Sequence, residues 1–109
     1  MRFLISCTTG LEEVIGEPVV IKECPGEVFA VHRSAVGEPL RTPLYRVSHV
    51  ETGLSIGGGD SIDFAIKVAR EAFATKTPEE IAKHLKKGRQ LRKSIERGTL
   101  LAGEINHGA

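Results

Sequence analysis

The side chains able to do nucleophilic or metal chemistry in this sequence are few: Cys7 and Cys24, and His32, His49, His84 and His107. A catalytic thiolate needs a base within hydrogen-bond reach and donors for a developing oxyanion. Cys7 stands beside Thr8 and Thr9, and nothing near it in sequence supplies either. The two cysteines match no zinc spacing and are read as reduced thiols in a cytoplasmic chain. A metal needs three or four convergent ligands. His32 and His49 belong to two alternating runs whose periodicity points them to opposite faces, and His84 and His107 are remote. Neither metal nor cofactor is expected, and the two strand histidines are read as structural or surface residues. Gly57-Gly58-Gly59-Asp60-Ser61 precedes a helical pattern, where backbone N–H groups can hold a phosphate. A P-loop also needs Lys and Ser/Thr after its last glycine, which this segment lacks, and Asp60 would repel an anion. The segment is read as a strand-to-helix turn.

Charge is more informative. Lys83, Lys86, Lys87, Arg89, Lys93 and Arg97 fall in one segment whose only acid between residues 83 and 97 is Glu96. Such a basic arc suits phosphates or an acidic partner, and it also suits a solvated face. Arg92 falls near the apolar stripe of the same segment and is read as its edge. The acids Glu12-Glu13, Asp60/Asp63 and Glu79-Glu80 sit at expected helix starts, where they complement the dipole without acid–base catalysis.

The elements that must position these residues follow from period and punctuation. Phe3-Leu4-Ile5 reads as a strand. Residues 10–15 read as a short helix with Leu11, Val14 and Ile15 on one face, Thr9 and Glu12 at capping-box spacing, and Gly16 as the stop. Whether residues 1–23 make strands or a strand–helix–strand unit stays open. Pro18–Glu23 is a strand candidate ended by Pro25-Gly26. Val28–Arg33 and Leu44–Val50 alternate, with Phe29, Val31 and Arg33 sharing one face and Tyr45, Val47 and His49 another set of like parity. Glu51-Thr52-Gly53 is a turn, Leu54-Ser55-Ile56 a returning strand, and Gly57–Gly59 its end.

The period then changes to 3.6. Asp60 or Ser61 caps a helix with Ile62, Ala65, Ile66, Ala69, Ala72 and Phe73 inward. Thr77-Pro78-Glu79-Glu80 opens a second one: N-cap, Pro at the first turn and a capping box agree. Its apolar stripe is Ile81, Leu85, Leu91 and Ile95, with Gly88 permitting close packing or a bend. Val31, Val47, Ile66, Phe73 and Leu85 are the expected core. Residues 1–98 form one α+β domain, a small antiparallel sheet of three to five strands packed by one amphipathic helix and followed by a basic amphipathic helix. Residues 99–109 are expected to be a frayed tail, with Leu100-Leu101 able to dock.

Bulk properties narrow the class. The 109 residues are 40% hydrophobic and 27% charged, ordinary values for a globular domain and unlike a disordered or disulfide-scaffold chain. Fifteen Lys and Arg against fourteen Asp and Glu leave +1, so net charge names no partner. No apolar run approaches the roughly 20 residues of a bilayer span, and the first residues lack a secretory h-region. A cytoplasmic chain without membrane association is expected.

Two resemblances attach to the order strand, strand, Thr-Gly turn, strand, helix over residues 28–74. Phe29-Ala30-Val31-His32-Arg33, then Tyr45-Arg46-Val47-Ser48-His49-Val50-Glu51-Thr52-Gly53-Leu54-Ser55-Ile56 and the helix after it, resemble a pattern of small uncharacterised phage and prophage proteins. That implies a mobile-element origin. The same order is similar to the three-strand-plus-helix DNA-binding module of tyrosine-recombinase arm domains and plant ethylene-response factors. That implies a sheet face carrying Arg33, Arg41, Tyr45 and Arg46 into the major groove. The expected function is a non-catalytic binding protein acting stoichiometrically on a protein partner, as an inhibitor of a host defence or regulatory system would. A DNA-binding module using the sheet face or the basic helix is the alternative, and a small enzyme without a recognisable motif comes third. Homo-oligomerisation stays open.

Overall fold

The computed structural model describes residues 1–7, 10–34 and 42–97, without the Cys7 side chain. Five antiparallel strands run in sequence order, β1 (Arg2–Cys7), β2 (Gly10–Val19), β3 (Phe29–Arg33), β4 (Tyr45–His49) and β5 (Ser55–Gly59), followed by α1 (Ile62–Ala74) and α2 (Pro78–Glu96). The fold is α+β, as the change of period from 2 to 3.6 implies. No helix among the described residues is long and apolar enough to cross a membrane.

The alternation in β3 and β4 places its residues as expected. Phe29 pairs with His49, Val31 with Val47 and Arg33 with Tyr45. Phe29, Val31 and Val47 meet Ala65, Ala69, Phe73 and Ile81 in the main core, with Ile66 and Leu85 half-buried against it. The intervening residues are buried as well. Ala30 joins Phe3 and Ile5 in a second cluster, and His32 and Ser48 are nearly inaccessible. β3 and β4 therefore have two covers, the helices on one face and the β1–β2 hairpin on the other.

That hairpin replaces the helix expected over residues 10–15. The spacing of Leu11, Val14 and Ile15 imitates a helical face, yet each residue from Gly10 to Ile15 pairs with one from Arg2 to Cys7. Gly16 does not end a helix. It is where β2 leaves β1 and begins to pair with β3. The crossing is so close that a Cβ there would stand 2.9 Å from the Val31 carbonyl and 3.1 Å from the Phe3 ring. The Thr9–Glu12 capping box has its first residue outside the described residues. The strand candidate at Pro18–Glu23 is shorter than expected, because the chain leaves β2 after Val19 and turns, with the Cys24 amide donating to the Ile21 carbonyl. β1 is anchored to the turn after β4, where the Ser6 amide donates to the Gly53 carbonyl at 3.0 Å and its hydroxyl to the Thr52 carbonyl at 3.3 Å.

Gly57–Gly59 belong to β5 and do not terminate it. A side chain at Gly57 would lie 2.6 Å from the Ala69 amide nitrogen, so the glycine lets α1 rest directly on the strand. Ser61, not Asp60, is the α1 N-cap, accepting from the Phe64 amide. The capping box of α2 forms as expected, with Thr77 and Glu80 each bonding the other's backbone N–H. Its inward edge is Ile81, Leu85, Gly88, Arg92 and Ile95, while Leu91 is 38% exposed. The expected stripe through Leu91 is corrected by helical geometry: after Leu85 the 3.6-residue repeat returns at Gly88 and Arg92, about 60° and about 100° away from Leu91.

Truncating Val47, fully enclosed in the core, to alanine should lower stability by about 1–4 kcal/mol through cavity formation. Gly57→Ala should lower it by about 1–3 kcal/mol by pushing α1 off β5. Urea unfolding at constant m-value checks both, and an unchanged Gly57→Ala midpoint would contradict this packing of α1.

Candidate functional site

α2 has two unlike faces. Its core edge lies along Ile81, Leu85 and Gly88, and the opposite arc carries Lys83, Lys86, Lys87, Lys93 and Arg97, all exposed. Lys83, Lys86, Lys87, Lys93 and Arg97 fall within an arc of about 120° at 3.6 residues per turn, so one side of the helix presents a positive stripe roughly 20 Å long at 1.5 Å per residue. Among the described residues none of these five cations sits within salt-bridge distance of a carboxylate. Thr77 and Pro78 start the helix in a fixed frame, so the stripe has a defined orientation on the domain.

Arg89 is the exception among the six basic residues grouped from the sequence. Its guanidinium turns to the sheet, with one nitrogen donating to both Glu27 carboxylate oxygens at 2.9 and 3.0 Å and Nε donating to Glu51 at 2.8 Å. Arg89 follows Gly88 on the helix flank, within reach of carboxylates delivered by the loop before β3 and the turn after β4. Arg92, placed correctly at the stripe's edge, donates to the carbonyls of Leu4 and Glu51 and pairs with Glu96. The basic arc is thus five residues, with Arg89 and Arg92 serving as its attachment.

Glu27 also receives His49. The His49 ring is 1% exposed, with Nε2 2.7 Å from Glu27 Oε1 and Nδ1 2.8 Å from Thr52 Oγ1. With the ring proton on Nε2, His49 donates to Glu27 and accepts from the Thr52 hydroxyl, whose oxygen accepts from the Leu54 amide at 3.3 Å. The order Thr–His–Glu imitates a nucleophile, base and orienting acid. Here Thr52 is 1% exposed and the chain of bonds runs from a tight turn into the interior. It acts as a strut joining the β4–β5 turn, the β3 approach and α2. Ligand atoms of Glu27, His49 and Glu51 lie within 4.8 Å of one another, the separation a metal could use. Arg89 bridges the two carboxylates and meets their charge. Sequence reasoning missed this cluster because its members come from residues 27, 49, 51, 52 and 89, and the available cue was no more than a histidine on an apolar strand face.

His32 lies on the opposite face, as alternation requires. Its Nδ1 donates to the Arg33 carbonyl and Nε2 bonds Ser48 Oγ, each at 2.7 Å, with the Phe3 ring edge-on. Both histidines are buried and hydrogen-bonded, and neither is at the surface. Cys24 is a free, buried thiol, pushed up in pKa by burial and by the Glu27 charge, which keeps it protonated.

The alternative sheet-face group separates. Arg33 and Tyr45 are cross-strand partners, with the guanidinium 5.4 Å from the ring centroid. Arg46 pairs in register with His32 on the other face and donates to Ser55 Oγ at 3.2 Å. Arg41 lies outside the described residues. The described members therefore do not form one groove-reading face.

Burial pushes the Glu27 carboxyl up in pKa, but hydrogen bonds from His49 and Arg89 outweigh it and hold it below the ordinary 4.5. A carboxylate depressed in the folded state adds stability that is complete above pH 4.5 and lost as pH falls through the lower folded value. Glu27→Gln should cost about 1–3 kcal/mol at pH 7. The gap from the unmodified protein should narrow on acidification below pH 4.5. Parallel denaturation curves across pH 3–7 check this, and a constant gap would show that Glu27 contributes through shape alone. Compared with protein-family models, curated proteins and solved structures, the chain shows no match.

Proposed function

We propose that this chain is a non-catalytic binding module that docks an acidic protein surface onto the outer face of α2. The observation that carries the reading is the stripe of Lys83, Lys86, Lys87, Lys93 and Arg97, exposed and without a carboxylate partner among the described residues. The fold does not use these side chains. Ile81 reaches the core, Gly88 meets Leu54 and Thr52, and Arg89 and Arg92 tether the helix. A rigid, capped helix also loses little conformational entropy when a partner binds, which favours affinity without new folding. Long cationic side chains steer an acidic partner and raise the rate of encounter more than they slow its departure. Stoichiometric action on one partner, as the expected inhibitor of a host system would require, fits a surface of this kind.

The test is reversal of Lys86, Lys87 and Lys93 to Glu. Thermal stability should change little, since exposed charges contribute about 0–1 kcal/mol each. A protein partner held by the unmodified chain should survive nuclease treatment and be lost by the triple variant, chiefly through a slower on-rate. Retention that disappears with nuclease, together with a steep fall of affinity with salt, would assign the same face to nucleic acid. Undiminished partner binding by the triple variant would remove this face from the function.

A further inference from the structure

The geometry points to a second, separate site: a pocket between the helices and the sheet that takes a small amphipathic carboxylate. Its volume is about 350 Å³, within the range of about 300–1,000 Å³ for small-molecule sites. It exists because the two helices pack at different distances. Small residues, Ala65 and Ala69 against Gly57 and Gly59, let α1 lie on β5. α2 comes close at Gly88, where a Cβ would stand 2.7 Å from the Leu54 side chain, packs Ile81 and Leu85 against the core, and is tethered at its flank by Arg89 and Arg92. Beside His84 and Leu85 the helix leaves a gap toward the sheet and α1 that its side chains line without filling.

The lining states what would fill it. Leu54, Ile56, Ala72, Phe73 and Leu85 make apolar walls. At the inner end His49 and Thr52 are bonded to each other, and His49 also to Glu27, so this end favours an apolar group. The exposed side chains at the mouth include Lys76, from the link between the helices, and His84, from the second turn of α2. No carboxylate lines the pocket among the described residues. Glu80, whose carboxylate feels the Lys76 charge, is engaged by the Thr77 amide of the capping box. An apolar body of several carbons thus meets apolar walls, and its carboxylate meets an ammonium and an imidazole N–H at the opening. A cationic head would meet Lys76 unfavourably, and a neutral one would forgo its charge-assisted bond.

Octanoate and octylamine, titrated separately into the full chain and followed by amide NMR shifts, test the site. Octanoate should move the Ala72, Phe73 and Leu85 signals and bind at least about tenfold more tightly than octylamine, because like charges at the mouth repel. Lys76→Glu, an exposed change that leaves the core intact, should reverse that preference. Ala72→Leu should fill the pocket and weaken octanoate about tenfold or more, with a thermal midpoint showing the chain still folded. Reversal of Lys86, Lys87 and Lys93 should leave octanoate binding unchanged, which separates this site from the proposed docking face. Equal binding of the two probes, persistence of the preference in Lys76→Glu, or no shift at these residues up to millimolar octanoate would overturn the inference.

Discussion

Burial of β3 and β4 on both faces is the constraint on which the rest of the structure depends. Val47 is sealed beneath the helices, while its neighbour Ser48 is 1% exposed on the other side. A strand enclosed in this way needs two covers, and a chain of 109 residues has few segments to provide them. α1 supplies the first by setting its alanines against the β5 glycines, and the β1–β2 hairpin supplies the second by bending at Gly16. Each cover brings polar backbone and side chains into the interior, where unpaired groups are costly. The two buried histidines answer that cost on opposite faces. His32 joins β3 to Ser48 of β4, and His49 joins the turn after β4 to Glu27 and, through it, to Arg89 of α2.

α2 is the element least committed to this interior, and its attachment is correspondingly polar. Apart from Ile81, the half-buried Leu85 and the glycine contact at residue 88, it is held by Arg89 and Arg92 at its flank. An attachment built from arginine forks leaves space that close-packed apolar side chains would have filled. The pocket beside His84 and Leu85 follows from the same cause as the exposed cationic arc: the helix is fixed along one narrow edge.

Much of this was legible in the sequence where the signal is local. The caps at Ser61 and Thr77, the alternation that puts Val31 and Val47 on one face, and the opposition of His32 and His49 are consequences of neighbours within four residues. What escaped depends on distant partners. Leu11, Val14 and Ile15 have a helical spacing that is overruled by pairing with β1, and Gly57–Gly59 resemble a chain break until α1 is seen against them. Arg89 looks identical to its lysine neighbours until Glu27, 62 residues away in sequence, is placed beside it. The sheet-face group divided for the opposite reason. Arg46 lies across the strand parity from Arg33 and Tyr45, the same parity that separates the two histidines.

The cationic arc itself is unfavourable to the isolated fold. Lys83 and Lys87 stand at i and i+4, as do Lys93 and Arg97. Like-charge pairs at that spacing destabilise a helix by about 0.2–0.5 kcal/mol each. Placing a glutamate at one position of each pair would turn repulsion into attraction without disturbing the core edge. Glu79, Glu80 and Glu96 lie instead at the ends of α2, where they serve the first turn and Arg92. Domain stability therefore supplies no reason for one sign to be kept along the middle of the exposed face. A partner of opposite charge would supply one, by turning that repulsion into the driving force for its own association.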